Sequence, residues 1–344
     1  MYKIAIVILN YNGLEYLKKF LSVVIQNSAQ PDAIIVLADN GSTDGSADWA
    51  EATYPELKII RFDKNHGFAG GYNLALEYIE AEYFILLNSD IEVSEDWLTV
   101  MVDFMDNNPD VASVQPKILS WHNREMFEYA GAAGGYIDKY GYTFCRGRIF
   151  NKIEKDNGKY DDTAEVFWTS GACMLIRAKI WNECGGFDED FFAHMEEVDL
   201  CWRLHNKGYK LFVIPSTAVY HVGGGTLAYN SPFKTYLNFR NNLFLLYKNL
   251  PEKKFKKILL IRKSLDIIAA LFFVFTFKIQ HAAAVFKAHR DYYKNTPVLK
   301  KKRAVNLKLT GNKKIKEKIL NKSLVFEYYI KGINTFDRLE KYFK

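Results

Sequence analysis

The sequence predicts an α/β fold, a mostly parallel mixed sheet with helices on both faces, followed by a basic helical extension. Three observations predict it. Short apolar runs alternate with helically spaced segments from the N-terminus onward, and each of the first four runs ends in polar residues. Charge also divides sharply: residues 248–344 hold 25 Lys and Arg against 7 Asp and Glu, while residues 1–247 hold 21 against 33. Strand and helix taking turns at this spacing favour parallel pairing, because a parallel crossover needs a helix to return the chain.

Taken in order, residues 4–9 read as a buried strand. Leu14, Leu17, Leu21, Val24 and Ile25 then fall at helical spacing. Residues 33–38 form a second strand, Asp39-Asn40-Gly41-Ser42 a turn, and residues 46–54 a helix. A strand at 58–62, a helix at 68–79 and a strand at 83–87 complete the alternation. The polar ends are Asn10-Tyr11-Asn12, Asp39-Asn40, Asp63-Lys64-Asn65 and Asn88-Ser89-Asp90. Open α/β sheets bind ligands beyond the carboxyl ends of their strands, so these ends mark one crevice.

Beyond it, a helix over 96–107 stops at Asn108-Pro109 and a strand follows at 111–114. The Gly- and Tyr-rich stretch 131–160 reads as a long loop or hairpin, and 166–176 as a strand containing Gly171. Helices at 178–184 and 196–207 end at glycines, and a strand at 210–214 leads into Pro215. From Phe233 the pattern is helical, with breaks expected at Pro251 and Pro297.

Met1 leads straight into a strand, so no export signal is expected. Cys145, Cys173, Cys184 and Cys201 form no CxxC pair and read as free thiols in a reducing cytoplasm. The basic tail calls for an anionic partner. Nucleic acid is disfavoured, because no helix-turn-helix, zinc-finger or RNP pattern accompanies the charge. An anionic membrane surface fits better. Residues 267–277 form an apolar run of 11 behind Lys256, Lys257, Arg262 and Lys263. That is short of the ~20 residues needed to cross a bilayer, but suits a helix lying in the interface. The alternative is an ordinary helix packed on the body with solvated lysines.

Several side chains suit chemistry on a phosphate. Asp90, fixed at a strand end with Asn88 two residues earlier, offers carboxylate oxygen to a hard divalent cation such as Mg²⁺ or Mn²⁺. Taken alone, it reads equally as an Asx turn or a cap. His221, followed by Val222 and a run of glycines, can complete such a coordination sphere, or can be a structural histidine. Asp39 can accept the imide N–H of a uracil or thymine ring. Asn65, His66, Gly67 and the glycines at 70–71 open a helix whose backbone N–H groups can face a phosphate or ribose. Six carboxylates crowd residues 188–199, among them Glu196, Glu197 and Asp199. Such crowding suits a general base as well as simple helix capping.

Seven stretches resemble, in order, the family 2 GT-A glycosyltransferases, especially the bacterial rhamnosyltransferase-like branch. They are VILNYN (7–12), ADNGSTDGS (38–46), NHGFAGGYN (65–73), LLNSD (86–90), SGACMLIR (170–177), GGFDEDFFAHMEEVDLCWRL (185–204) and HVGGGT (221–226). The resemblance implies a GT-A catalytic domain over 1–232, with a nucleotide-binding half (1–110) and an acceptor-binding half (111–232). The region 233–344 would then be a membrane-associating appendage. Asn10, Asn12, Asp39, Asn65, Gly70, Asn88 and Ser89 would form the nucleotide-sugar pocket, and Asp90 and His221 would hold the metal. Trp168, Thr169, Ser170 and Glu196 would meet the acceptor. Glu197 stands where the family has the Asp of its base motif, with Asp199 as a possible participant, and Asn88 stands where the first Asp of the DXD motif is expected.

The implied reaction is inverting transfer from dTDP-rhamnose or a UDP-sugar to a glycan or lipid-linked acceptor at the inner face of the cytoplasmic membrane. A nucleotidyltransferase would carry a Gly-rich, basic loop after the first strand, where this chain has Asn10-Tyr11-Asn12-Gly13. A nucleotide-sugar-binding protein without transfer activity is the other reading.

Overall fold

The structure, a computed structural model, describes residues 1–223, 231–308 and 318–343. Its main sheet has nine strands. From one edge the order is Lys58–Arg61, Ala33–Asp39, Tyr2–Asn10, Ala81–Asn88, Cys173–Arg177, Val111–Ser120, Lys210–His221 and Ala164–Glu165. The short strand Ile91–Val93 pairs separately with Lys210–His221. The first four strands are parallel; Cys173–Arg177 runs antiparallel between the two halves.

Alternation along Tyr2–Asn10 explains why both faces are covered. Ala5 and Val7 enter one core, while Ile4, Ile6 and Ile8 enter the other with Leu17 and Leu21 from the helix Leu14–Asn27. A strand buried on both faces reads as a continuous apolar run, as this one does.

The middle of the chain departs from its reading in instructive ways. The stretch 131–160 folds into the short strands Gly135–Asp138, Thr143–Cys145, Arg148–Ile149 and Lys152–Ile153 of a second, five-stranded sheet. Its last strand, Ile319–Leu320, comes from the far end of the chain. The strand expected over 166–176 is regular only from Cys173, because Gly171 sits where the chain bends into the cleft. The strand before His221 runs on through Pro215 as Lys210–His221, with a register shift between Ile214 and Ala218 that absorbs the proline.

Three long helices follow: Pro232–Asn249, Glu252–Phe275 and Ile279–Lys308. Pro251 separates the first two as expected, but Pro297 does not break the third. Buried Tyr292 before it, and Leu299 and Arg303 after it, anchor that helix on both sides of the missing hydrogen bond. Leu243, Phe244 and Leu246 of the first helix and Phe336 and Leu339 near the C-terminus join the same core as the sheet. The first helix and the C-terminal segment of the extension therefore pack on the body, and the other two long helices pack on that first helix and on each other. All four cysteines are free thiols. Among the described residues no helix is long and apolar enough to cross a membrane.

Candidate active site

Register brings the polar strand ends together. Asn10 pairs with Asp39 across the first two strands, and Leu9 pairs with Asn88 on the other side. Asp90 lies just past Asn88 and just before Ile91, and Ile91 pairs antiparallel with His221. That pairing, closed by Val222 N–H donating to the Asp90 carbonyl at 3.1 Å, joins side chains that stand 131 residues apart.

His221 Nε2 lies 3.1 Å from Asp90 Oδ1 and 3.4 Å from Asn88 Nδ2, and its Nδ1 faces Glu128 Oε2 at 3.1 Å. Burial opposes charge on this ring, yet the Asp90 and Glu128 carboxylates outweigh it and push the imidazole up to about 10. Two carboxylates around one imidazole leave surplus negative charge for a cation to offset. The spacing also fits: cis ligands ~2.1 Å from an octahedral ion stand about 3 Å apart. Glu128 behind the ring stands where an outer carboxylate would orient a histidine toward a metal ion. Asp90 and His221 thus suit a divalent ion whose remaining positions go to ligand oxygens or water. Among the described residues no protein-only cluster of three or more acidic, His or Cys ligands occurs.

These residues open onto a cavity of about 410 Å³. Asn65, Asn88, Ser89, Asp90 and His221 line it together with Trp168, Ser170, Glu196 and Glu197. The helix Glu196–Asn206 points its N-terminus at this space, so its first-turn carboxylates arrive together. Glu196 Oε2, Glu197 Oε2 and His194 Nε2 are buried with no hydrogen-bond partner among the described residues. Burial raises the Glu197 carboxyl to about 7. Glu196 is driven further up, by burial first and by its charged neighbour second. Burial, aided by the Lys234 charge, holds His194 down to about 4. Three unpaired polar atoms facing one cavity await a polar ligand.

Not every expected residue reaches the cavity wall. Asn10 is buried one layer behind it, its Nδ2 donating to Asp39 Oδ1 (3.2 Å), Ser42 Oγ (3.2 Å) and Ser46 Oγ (2.8 Å). Asp39 also accepts from Ser42 N–H at 3.1 Å. Asn12 sits on the exposed rim, accepting from Thr43 N–H at 2.8 Å. Gly70 faces His66 and Glu189 instead of the cavity. The close approaches are at Gly67, with φ 74° against Phe192, and at Gly71, where a Cβ would meet Leu9 and Asn40 at about 3 Å.

Two expectations are corrected outright. Thr169 is a core residue, its Oγ1 2.9 Å from Ser113 Oγ, so it cannot meet an acceptor. Asp199 is fully buried and saturated by Arg203 Nε (3.0 Å), Lys248 Nζ (2.8 Å) and Asn249 Nδ2 (2.8 Å), which leaves it no part in proton transfer. Of the glycine run after His221, residues 224–226 lie outside the described residues.

The site also contains residues that the sequence reading passed over. Glu128, Tyr129 and Arg148 come from irregular or very short elements with no periodic signal, and Lys234 and Asn238 come from the first helix of the extension. That helix also holds the segment carrying His194. Asn241 Nδ2 donates to the carbonyls of Phe191 (2.9 Å), Ala193 (2.8 Å) and His194 (2.7 Å). Arg240 donates to those of Asp190 and Phe191, each at 2.9 Å. Lys248 and Lys302 clamp Asp188, and Lys302 reaches Asp190 at 2.6 Å. The clamped backbone is strained, with φ of 64°, 69° and 74° at Phe192, His194 and Met195.

The profile of the family described as Glycosyl transferase family 2 matches residues 5–185 of this chain, more than half of it. Over 234 residues the chain is 25% identical to N-acetylglucosaminyl-diphospho-decaprenol L-rhamnosyltransferase of Mycobacterium tuberculosis, spanning 63% of this chain and 75% of that one. Among solved structures, S. aureus TarS 1–349 in complex with UDP-GlcNAc superposes with a TM-score of 0.56 at 16% identity, over 90% of this chain and 89% of that one. GalNAc-T7 with UDP, GalNAc and Mn²⁺ gives a TM-score of 0.56 at 16% identity, covering 72% of this chain and 48% of that one.

Proposed function

The chain belongs to glycosyl transferase family 2, and from that membership we propose that it moves a hexosyl group, with inversion, from a nucleotide-diphosphate sugar to a hydroxyl of a glycan or lipid-linked acceptor during cell-surface polysaccharide synthesis. The observation that carries this reading is that one cavity is lined by both the Asp90–His221 pair and by Glu196 and Glu197, each with an unpartnered buried oxygen. dTDP-rhamnose is the first donor to test and UDP-sugars the second, because the mycobacterial relative is a rhamnosyltransferase and TarS was solved with UDP-GlcNAc.

Asp90 and His221 would hold Mg²⁺ or Mn²⁺, and a bound ion would offset the charge of the departing diphosphate. Asp39, braced by Asn10, would accept the imide N–H of the base, with Asn65, Asn88 and Ser89 along the sugar and phosphates. Trp168, Ser170 and Glu196 would seat the acceptor. Glu197 takes the proton of the acceptor hydroxyl as its oxygen bonds to the anomeric carbon and the bond from that carbon to the diphosphate oxygen breaks. A carboxyl near neutrality is poised for that transfer. One displacement inverts the centre. The enzyme would work peripherally at the cytoplasmic face of the membrane, its basic end against anionic lipid.

A donor screen by thermal shift with Mn²⁺, followed by transfer assays and NMR of the product, tests the reading. Inverted product is expected. A retained anomer, or transfer undiminished in Asp90→Ala and Glu197→Ala, would overturn it.

A further inference from the structure

The helices Glu252–Phe275 and Ile279–Lys308 meet at a tight turn that is exposed among the described residues except at Phe273. Leu271, Phe272, Val274, Phe275, Phe277 and Ile279 lie within nine consecutive positions, and all are exposed, Phe275 by 79% and Phe277 by 91%. A contiguous bare patch of aromatic and aliphatic side chains on a folded protein marks an interaction surface. The flanking charge says which. Residues 252–308 carry fifteen Lys and Arg against three acids, Glu252, Asp266 and Asp291, and Asp266 is buried against Arg262 at 2.8 Å. Lys278 stands exposed inside the turn, and Lys287 and Arg290 are exposed about two to three helical turns behind it, while Lys253, Lys254, Lys256 and Lys257 lie at the far end of the first helix. An apolar turn with one cation inside it and others behind is complementary to an anionic bilayer, whose headgroups take the basic side chains and whose acyl region takes the rings.

The hairpin also has a fixed relation to the cleft. The Phe273 ring lies against that of His281, tilted, with centroids 5.4 Å apart, and His281 Nδ1 lies 2.8 Å from Thr235 Oγ1. Thr235 follows Phe233 and Lys234, which line the cavity, and Phe233 is itself partly bare. Two contacts therefore separate the apolar turn from the cavity rim.

We propose that the turn between these two helices, Leu271 to Ile279, inserts into the anionic leaflet of a membrane and sets the mouth of the cleft at the lipid interface. A lipid-linked acceptor would then present its sugar to Glu197 without leaving the bilayer. The insertion stands on the surface alone; the delivery of acceptor rests on the function proposed above.

Flotation of the full chain with vesicles of phosphatidylcholine, with and without phosphatidylglycerol, tests it. The wild type is expected to float with the anionic vesicles and the triple variant F272S/F275S/F277S to bind at least tenfold less. Transfer to a water-soluble glycoside by that variant should be unchanged, which shows that the fold and the active site are intact. Phe275→Trp should be quenched by brominated lipid. Undiminished flotation of the triple variant, or an unquenched Trp, overturns the insertion. So does a wild-type dimer, seen by gel filtration without lipid, that the triple variant abolishes, since the patch would then cover a second copy. Loss of transfer in every form alongside normal flotation would instead count against the proposed reaction and leave the insertion standing.

Discussion

On the proposed donor side of the cleft Asn10 donates to Asp39 and Asn40 to Asn65, leaving Asn10 Oδ1 as the unpaired buried atom among them, whereas on the proposed acceptor side His194, Glu196 and Glu197 each leave one. The donor side is built from strand ends and the turns that follow them, all from the first ninety residues. Most of its polar groups are paired within the fold, as Asn40 illustrates by bridging Asn65 Oδ1 and the Gly67 carbonyl at 3.1 and 3.0 Å, with Asn10 Oδ1 the exception. The acceptor side is a strained segment that ends in a helix N-terminus, held from behind by Arg240, Asn241, Lys248 and Lys302. The difference separates two tasks. A rigid, satisfied surface can hold a nucleotide in one pose, while a carboxylate that must accept a proton is more basic when it is buried and underpaired.

The sharpest way to break this comparison is to strike the side thought to hold the ion. Asp90→Ala should lower kcat/KM on the order of 10³-fold in steady-state assays, since several kcal/mol of leaving-group stabilisation would go with it. An effect under tenfold would detach the metal from the donor side. Next comes the base. Glu197→Gln should lower kcat about 10²-fold while leaving donor binding unchanged. In the wild type, kcat/KM should fall as pH drops below about 7, because the protonated carboxyl cannot take another proton. A profile flat from pH 8 to 5 would assign the proton to another group.

The brace behind the acceptor side gives a smaller, different signature. Asn241→Ala removes the side-chain donor to the Ala193 and His194 carbonyls and one of the donors to that of Phe191, and should cost about 1–3 kcal/mol of stability by denaturant titration. It should also lower kcat/KM for the acceptor about tenfold with donor affinity intact. Equal losses for both substrates would mean that the two sides are not independent.

The smallest effect concerns stability and pH. A carboxyl raised to about 7 in the fold but ordinary when unfolded binds its proton more tightly in the folded state. The wild type therefore loses stability as pH rises from the ordinary carboxyl range through 7, and Glu197→Gln loses less, because only the Glu196 carboxyl of the pair remains to titrate. The variant should be the more stable protein at pH 8, by up to about 3 kcal/mol, with the gain gone near pH 4.

The donor side was the more legible in the sequence for a physical reason. Strand, turn and helix follow one another within short spans there, so local pattern carries both the element and its polar end. Residue pattern alone names Asp90 and His221 without joining them, and only the family resemblance pairs them on one metal, because their contact depends on Ile91 pairing with a strand more than a hundred residues away. Glu128 had no signal at all, since it reaches His221 from an irregular segment. Asp199 misled for the opposite reason. It shares the first turn of a helix with Glu196 and Glu197, and only Lys248 and Asn249, remote in sequence, show that it faces the core. The extension likewise read as an appendage, because charge says nothing of the buried polar ring by which it grips residues 188–194.

Calorimetric titration of dTDP and UDP into the protein, with and without Mn²⁺, tests the central claim most directly. The account expects nucleotide binding that Mn²⁺ strengthens in the wild type and in Glu197→Gln, and no Mn²⁺ effect in Asp90→Ala or His221→Ala. Binding that Mn²⁺ strengthens equally in all four proteins would contradict it.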